Sequence, residues 1–150
     1  MLERGSDKFG PFGHGYTYSA HPLCAAAGLA NIEIIEREGI IQHVAEVGPY
    51  FVKALKEAFE GRPYVAEVRG VGLLGAIEFA ADPSKKLRFD VNRKVGARFA
   101  AACLEEGVIS RAMPHGDTLG FAPPLIITRD EIDDVIRRVR RAVDKVSPEL

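Results

Sequence analysis

Apolar residues recur at three- and four-residue steps in several stretches of the chain and alternate in others. Leu23-Cys-Ala-Ala-Ala-Gly-Leu-Ala-Asn-Ile is apolar on nearly all sides, then Glu33 and Glu36 narrow the stretch to one apolar face. That pattern predicts a helix from about Ala20 to Glu38, buried on several faces as if bridging two bodies. Ser19 is placed to cap it and Gly39 to end it. A second helix follows from about Ile41 to Glu60, with Val44, Val47, Phe51, Leu55 and Phe59 on one side. Pro49 predicts a kink or break at Gly48-Pro49. A third helix spans roughly Val91 to Glu106. The last begins at Thr128, where Glu131 completes a capping box, and carries the stripe Ile132, Val135, Ile136, Val139, Val143 and Val146.

Between the helices lie strand patterns. Tyr64–Arg69 and Leu73–Phe79 flank Gly70-Val-Gly and form an antiparallel hairpin. Gly75 within the second strand predicts a close neighbour. Val108–Met113 and Thr118–Ala122 form another pair around Pro114-His-Gly-Asp. Residues 1–12, with Gly5, Ser6, Gly10 and Pro11, read as an extended or irregular arm whose Phe9 and Phe12 need a surface. The sum is an α+β fold: a small antiparallel sheet of three to four strands packed with helices.

Composition narrows the classes. The 150 residues are 47% hydrophobic and 27% charged, enough for a core, and the formal net charge of −1 gives no pull towards nucleic acid or an anionic membrane. The longest apolar run, Leu23 to Ile32, is too short to span a bilayer. Cys24 and Cys103 sit among apolar residues and read as small buried residues, which fits a reducing cytoplasm. His21 and Cys24 share a helix face, but no second pair stands at zinc spacing. The arginines of the last helix interleave with acids, so a solvated, ion-paired face is expected. The opening residues resemble the middle of a longer protein more than a natural start.

Two places carry candidate chemistry. Gly13-His-Gly-Tyr-Thr-Tyr-Ser-Ala-His-Pro is a glycine-hinged loop running into a helix, with Pro22 in the first turn. Free N–H groups, hydroxyls and a helix dipole at one point can hold a phosphate. The same pattern makes an ordinary capped helix start, and from the residues alone that plainer role comes first. Arg111 lies on a short strand beside a glycine-containing turn. It can clamp a carboxylate at two points, or simply reach into water from a sheet edge.

Three blocks in order resemble the class III pyridoxal-phosphate-dependent aminotransferases: Phe12-Gly-His-Gly-Tyr-Thr-Tyr-Ser-Ala-His-Pro-Leu-Cys-Ala-Ala-Ala, Arg69-Gly-Val-Gly-Leu-Leu-Gly-Ala-Ile-Glu-Phe, and Val108-Ile-Ser-Arg with the later Ala-Pro-Pro-Leu-Ile-Ile-Thr. The resemblance is to the C-terminal part of such an enzyme, of fold type I. It implies that residues 1–19 are an arm and phosphate loop bordering a large domain, and that 20–150 are the C-terminal small domain. It implies a homodimer in which Thr17, with Gly15 and the backbone around Tyr16, reaches the phosphate of the neighbouring subunit's pyridoxal 5'-phosphate. Arg111 matches the mobile carboxylate-binding arginine of the omega branch. Where the ornithine, acetylornithine and 4-aminobutyrate branches carry an arginine three residues before the first proline, this chain has Gly120. The cofactor lysine is expected upstream, since none of the seven lysines has its context. The chain alone is therefore expected to be inactive. The implied activity moves an amino group from a primary amine or omega-amino acid to a keto acid such as pyruvate. A decarboxylase or aminomutase of the same fold, or a non-enzymatic interaction domain, would share this region.

Overall fold

The computed structural model describes residues 2–10, 13, 15–114 and 116–150, with Leu2 and Glu3 described for their backbone only. Phe12, His14 and His115 lie outside the described residues, with the contacts or metal roles considered for them. The chain forms two compact units, Met1–Glu38 and Gly39–Leu150.

The first unit opens with a helix, not an irregular arm: α1 spans Leu2–Phe9. Gly10, read above as a breaker, acts as a terminator. It takes φ 85° and returns its N–H to the Ser6 carbonyl at 3.0 Å. Lys8 in the last turn suits the dipole. Helix α2 spans Pro22–Arg37, with Pro22 at its first position. Ser19 is not its cap. The Ser19 hydroxyl accepts the Tyr16 N–H at 2.8 Å, and Ala20, at φ 59°, turns the chain out of helical geometry before His21. Within this chain none of the α2 residues is buried, and Cys24, expected among buried residues, is exposed. A unit of this size offers no second layer to cover an all-round apolar helix.

In the second unit, α3 (Ile40–Phe59) runs unbroken through Pro49. The proline costs the hydrogen bond to the Ala45 carbonyl. Val47, Phe51, Leu55 and Phe59, buried along one side, hold both halves in register. Gly48 marks a close approach, not a break. A Cβ there would lie 2.8 Å from the Gly72 Cα.

Strands β1 (Val65–Val71) and β2 (Leu74–Phe79) are joined by a two-residue turn, Gly72-Leu73. A bulge at Ala66 shifts the register so that Val65 and Val68 both face inward, opposite Phe79 and Ile77. Strand β3 shrinks to Arg111–Ala112, an edge paired only with β4 (Asp117–Phe121). The four strands stand in the order β1-β2-β4-β3, all antiparallel.

Helix α4 (Val95–Glu105) is shorter than the expected Val91–Glu106 because Lys94, in left-handed geometry, separates it from a 3-10 turn over Val91–Arg93. Helices α3 and α4 cover one face of the sheet. Gly75 lies under Phe51 and Leu55, where a Cβ would come within 2.6 Å of Leu55 Cδ1. Phe79 stacks on Phe99 with ring centroids 4.0 Å apart. Helix α5 (Arg129–Val146) packs across α3 and α4, burying Ile132, Ile136, Val139, Ala142, Val143 and Val146. Both capping-box bonds of Thr128 and Glu131 are present. Several of its outward charges are paired: Asp134 with Arg137 and Arg138, Arg141 with Glu106, Lys145 with Glu105. Among the described residues of this unit, no helix packs on the other face of the sheet.

Candidate functional site

On that open face one row of residues crosses the whole sheet. Arg69 stands opposite Ala76, Ala76 opposite Gly120, and Gly120 opposite Arg111. Directly opposed residues project to the same face. The row therefore has an arginine at each end and two of the smallest residues between. A groove of about 610 Å³ follows it, walled by Arg69, Arg111, Met113 and Thr118 over Ala76 and Gly120.

Arg111 is exposed and makes no hydrogen bond or ion pair with any described residue. Arg69 is paired twice: its Nη1 donates to Glu78 at 2.7 Å and to Glu67 at 2.9 Å. The bond to Glu78 is the main influence raising the Arg69 pKa above its ordinary value. Sequence reasoning placed Arg69 in a motif but gave it no role. The alternation of β1 signals that it faces outward; only the strand order and register show that it shares a row with Arg111.

The loop around Thr17 belongs to the other unit. Tyr16 and Ser19 close a turn on themselves, Ser19 N–H to Tyr16 carbonyl at 2.9 Å and Tyr16 N–H to Ser19 Oγ. The Tyr16 N–H is thus engaged within the turn. Thr17 and Gly15 are exposed and make no hydrogen bond with a described residue. Their N–H groups and the Thr17 hydroxyl, a few residues ahead of α2, are hydrogen-bond donors of the kind a phosphate takes.

No lysine lines the groove. Lys53, Lys56, Lys85 and Lys145 are held in ion pairs with Glu57, Glu60, Asp82 and Glu105. Among the described residues no group of histidine, cysteine and acidic side chains is placed to hold a metal. No described helix is long and apolar enough to cross a membrane.

Comparison with known proteins gives a consistent result. Residues 4–143 match the model of the family described as aminotransferase class-III. A diaminobutyrate–2-oxoglutarate transaminase of Halomonas elongata is 53% identical over all 150 residues, which cover 32% of its length. A mitochondrial gamma aminobutyrate transaminase of Solanum lycopersicum is 38% identical over 95% of this chain and 27% of its own. The solved structure of an omega-aminotransferase from Paracoccus denitrificans superposes with a TM-score of 0.85 at 34% identity, over 99% of this chain and 32% of that one. The chain thus spans about a third of the length of the relatives it matches.

Proposed function

The chain belongs to the class III aminotransferases, and we propose that it is the C-terminal part of an enzyme moving an amino group from a primary amine or omega-amino acid to a keto acid such as pyruvate. In this reading residues 1–19 border the large domain and residues 20–150 form the small domain. The observation that carries the reading is Arg111: an exposed guanidinium without an acidic partner among the described residues, at the wall of a groove floored by Ala76 and Gly120. Such a group, planar and five-donored, suits a carboxylate held at two points.

The family implies pyridoxal 5'-phosphate in the full-length protein. When bound, that cofactor supplies the electron sink that lets nitrogen move between carbon skeletons. This chain's share is binding. Thr17 and Gly15 offer donors for the phosphate, in our reading that of the neighbouring subunit of a homodimer. Arg111 orients the keto acid by its carboxylate and presents its carbonyl end away from the β3 edge. The lysine that carries the cofactor lies, in this reading, outside these residues, so the chain alone is inactive. Its unpaired thiols fit a reducing cytoplasm.

The test is product analysis on the full-length protein supplied with pyridoxal phosphate, an omega-amino acid and pyruvate. Alanine and the matching aldehyde are expected in equal amounts. Carbon dioxide release, or an isomeric amine, would overturn the reading in favour of a decarboxylase or an aminomutase.

A further inference from the structure

Between β2 and α4 the chain uses one small device twice. Asp82 and Asp90 each cap a 3-10 turn, over Pro83–Lys85 and Val91–Arg93, and Lys86 and Lys94 end the two turns. The Asp82 carboxylate accepts the Ser84 and Lys85 N–H groups, and that of Asp90 accepts the Asn92 N–H at 2.8 Å. Both acids are thus turned onto their own backbone. Lys86 and Lys94 take left-handed geometry, at φ 53° and 49°. Glycine holds that geometry without the steric cost that a Cβ brings. Lysine at both places accepts the strain and keeps a charge there.

Five of the eleven residues from Ser84 to Lys94 are basic and one is acidic, a local excess hidden within the formal net charge of −1. Lys85 is spent on Asp82, and Arg93 donates to the Leu150 carbonyl at 2.9 Å. The side chains of Lys86, Arg88 and Lys94 make no hydrogen bond or ion pair with any described residue. Among these cations stand two bare apolar side chains, Leu87 at 58% exposure and Val91 at 83%. The lobe is nevertheless anchored. Phe89 is buried beside Tyr64, with ring centroids 5.7 Å apart, and Asp82 and Leu87 exchange both backbone hydrogen bonds.

Free cations beside exposed apolar side chains match the headgroup layer of an anionic membrane, which accommodates both. A nucleic acid would favour an aromatic face, and the only aromatic side chain of the lobe, Phe89, is buried. An acidic peptide would favour a groove, whereas every residue from Ser84 to Lys94 except Phe89 is exposed. We propose that the two basic turns form a docking lobe for the surface of an anionic lipid bilayer, with Leu87 and Val91 entering the headgroup layer. The proposal is independent of the roles given to Thr17 and Arg111.

The experiment is sedimentation of the full-length protein with vesicles of phosphatidylcholine alone or with about 30% phosphatidylserine. Binding to the mixed vesicles should exceed binding to phosphatidylcholine roughly tenfold or more and should weaken as salt is raised. Lys86→Gly/Lys94→Gly removes two charges and relaxes two left-handed positions, so the variant should fold at least as well as the parent. It should bind the mixed vesicles roughly tenfold or more weakly and keep the parent's transamination rate. Val91→Ser should weaken binding about three- to tenfold and leave its salt dependence unchanged. No binding to the mixed vesicles, equal binding to both kinds, or parental binding by the double glycine variant would overturn the proposal. Binding of DNA or polyglutamate that the double variant loses, with vesicles ignored, would overturn it too and assign the lobe to another anion.

Discussion

Gly48 of α3 lies so near Gly72 in the β1–β2 turn that an added Cβ would meet the Gly72 Cα at 2.8 Å and its carbonyl carbon at 2.9 Å. Both partners are backbone, so neither can rotate away. Gly48→Ala, which in an open helix would gain about 1 kcal/mol, should here destabilise the protein by about 1–3 kcal/mol. Gly120 is the contrasting case. Its nearest neighbour is the flexible Met113 Sδ at 3.4 Å, and Gly120→Ala should be neutral or slightly stabilising. Denaturant midpoints of the two variants check the pair.

The capping box makes a separable prediction. Thr128→Ala removes the hydroxyl that receives the Glu131 N–H at 3.3 Å and should cost about 1 kcal/mol. The Glu131 carboxylate accepts from the Thr128 N–H and hydroxyl, both at 2.8 Å, and these bonds hold its pKa below the ordinary 4.5. A depressed acid contributes stability that is present above its unfolded value and lost as pH falls through the folded one. Glu131→Gln removes that titration. The stability gap between Glu131→Gln and the parent should therefore hold at neutral pH and close below about pH 4.5. A gap constant down to strong acid would contradict it.

Much of the second unit follows from local pattern, because there each element has a layer to pack on. The stripe of α5 and its capping box, the hairpin of β1 and β2, and the crowding of Gly75 under Leu55 all match the sequence expectation. Pro49 misleads because its cost is local while the anchoring of Phe51, Leu55 and Phe59 is tertiary. Ser19 misleads for a different reason: a hydroxyl three residues ahead of a helix can close its own turn, and the left-handed Ala20 makes that the outcome. In α2 the pattern is correct in kind, an apolar helix, but states nothing about what covers it. The groove was half visible. Arg111 stood out by its isolation, whereas Arg69 acquires meaning only through a register that no single strand encodes.

The phosphate loop yields a test of the cofactor role. If the Thr17 hydroxyl serves the phosphate of the neighbouring subunit's cofactor, Thr17→Ala in the full-length dimer should weaken retention of pyridoxal phosphate roughly ten- to hundredfold, the range of one hydrogen bond to a charged group. Thr17→Ser, which keeps the hydroxyl, should restore most of it. Release is followed as loss of the bound cofactor's visible absorbance on dilution. Cofactor retained equally by Thr17→Ala and the parent would remove Thr17 from the site.

Arg111 offers the sharpest division between substrates. In the full-length enzyme Arg111→Ala should raise KM for keto acids roughly tenfold or more, since one or two charge-assisted bonds vanish. Simple aldehydes carry no carboxylate and should be used as before. Folding does not confuse the result: Arg111 is exposed on an edge strand and makes no hydrogen bond or ion pair with a described residue, so its removal costs the sheet little. Lysine at this position should recover only part of the keto-acid affinity, because a point charge keeps the attraction but not the two-point geometry. Equal losses for keto acids and aldehydes in Arg111→Ala would show that the residue supports the groove without reading a carboxylate.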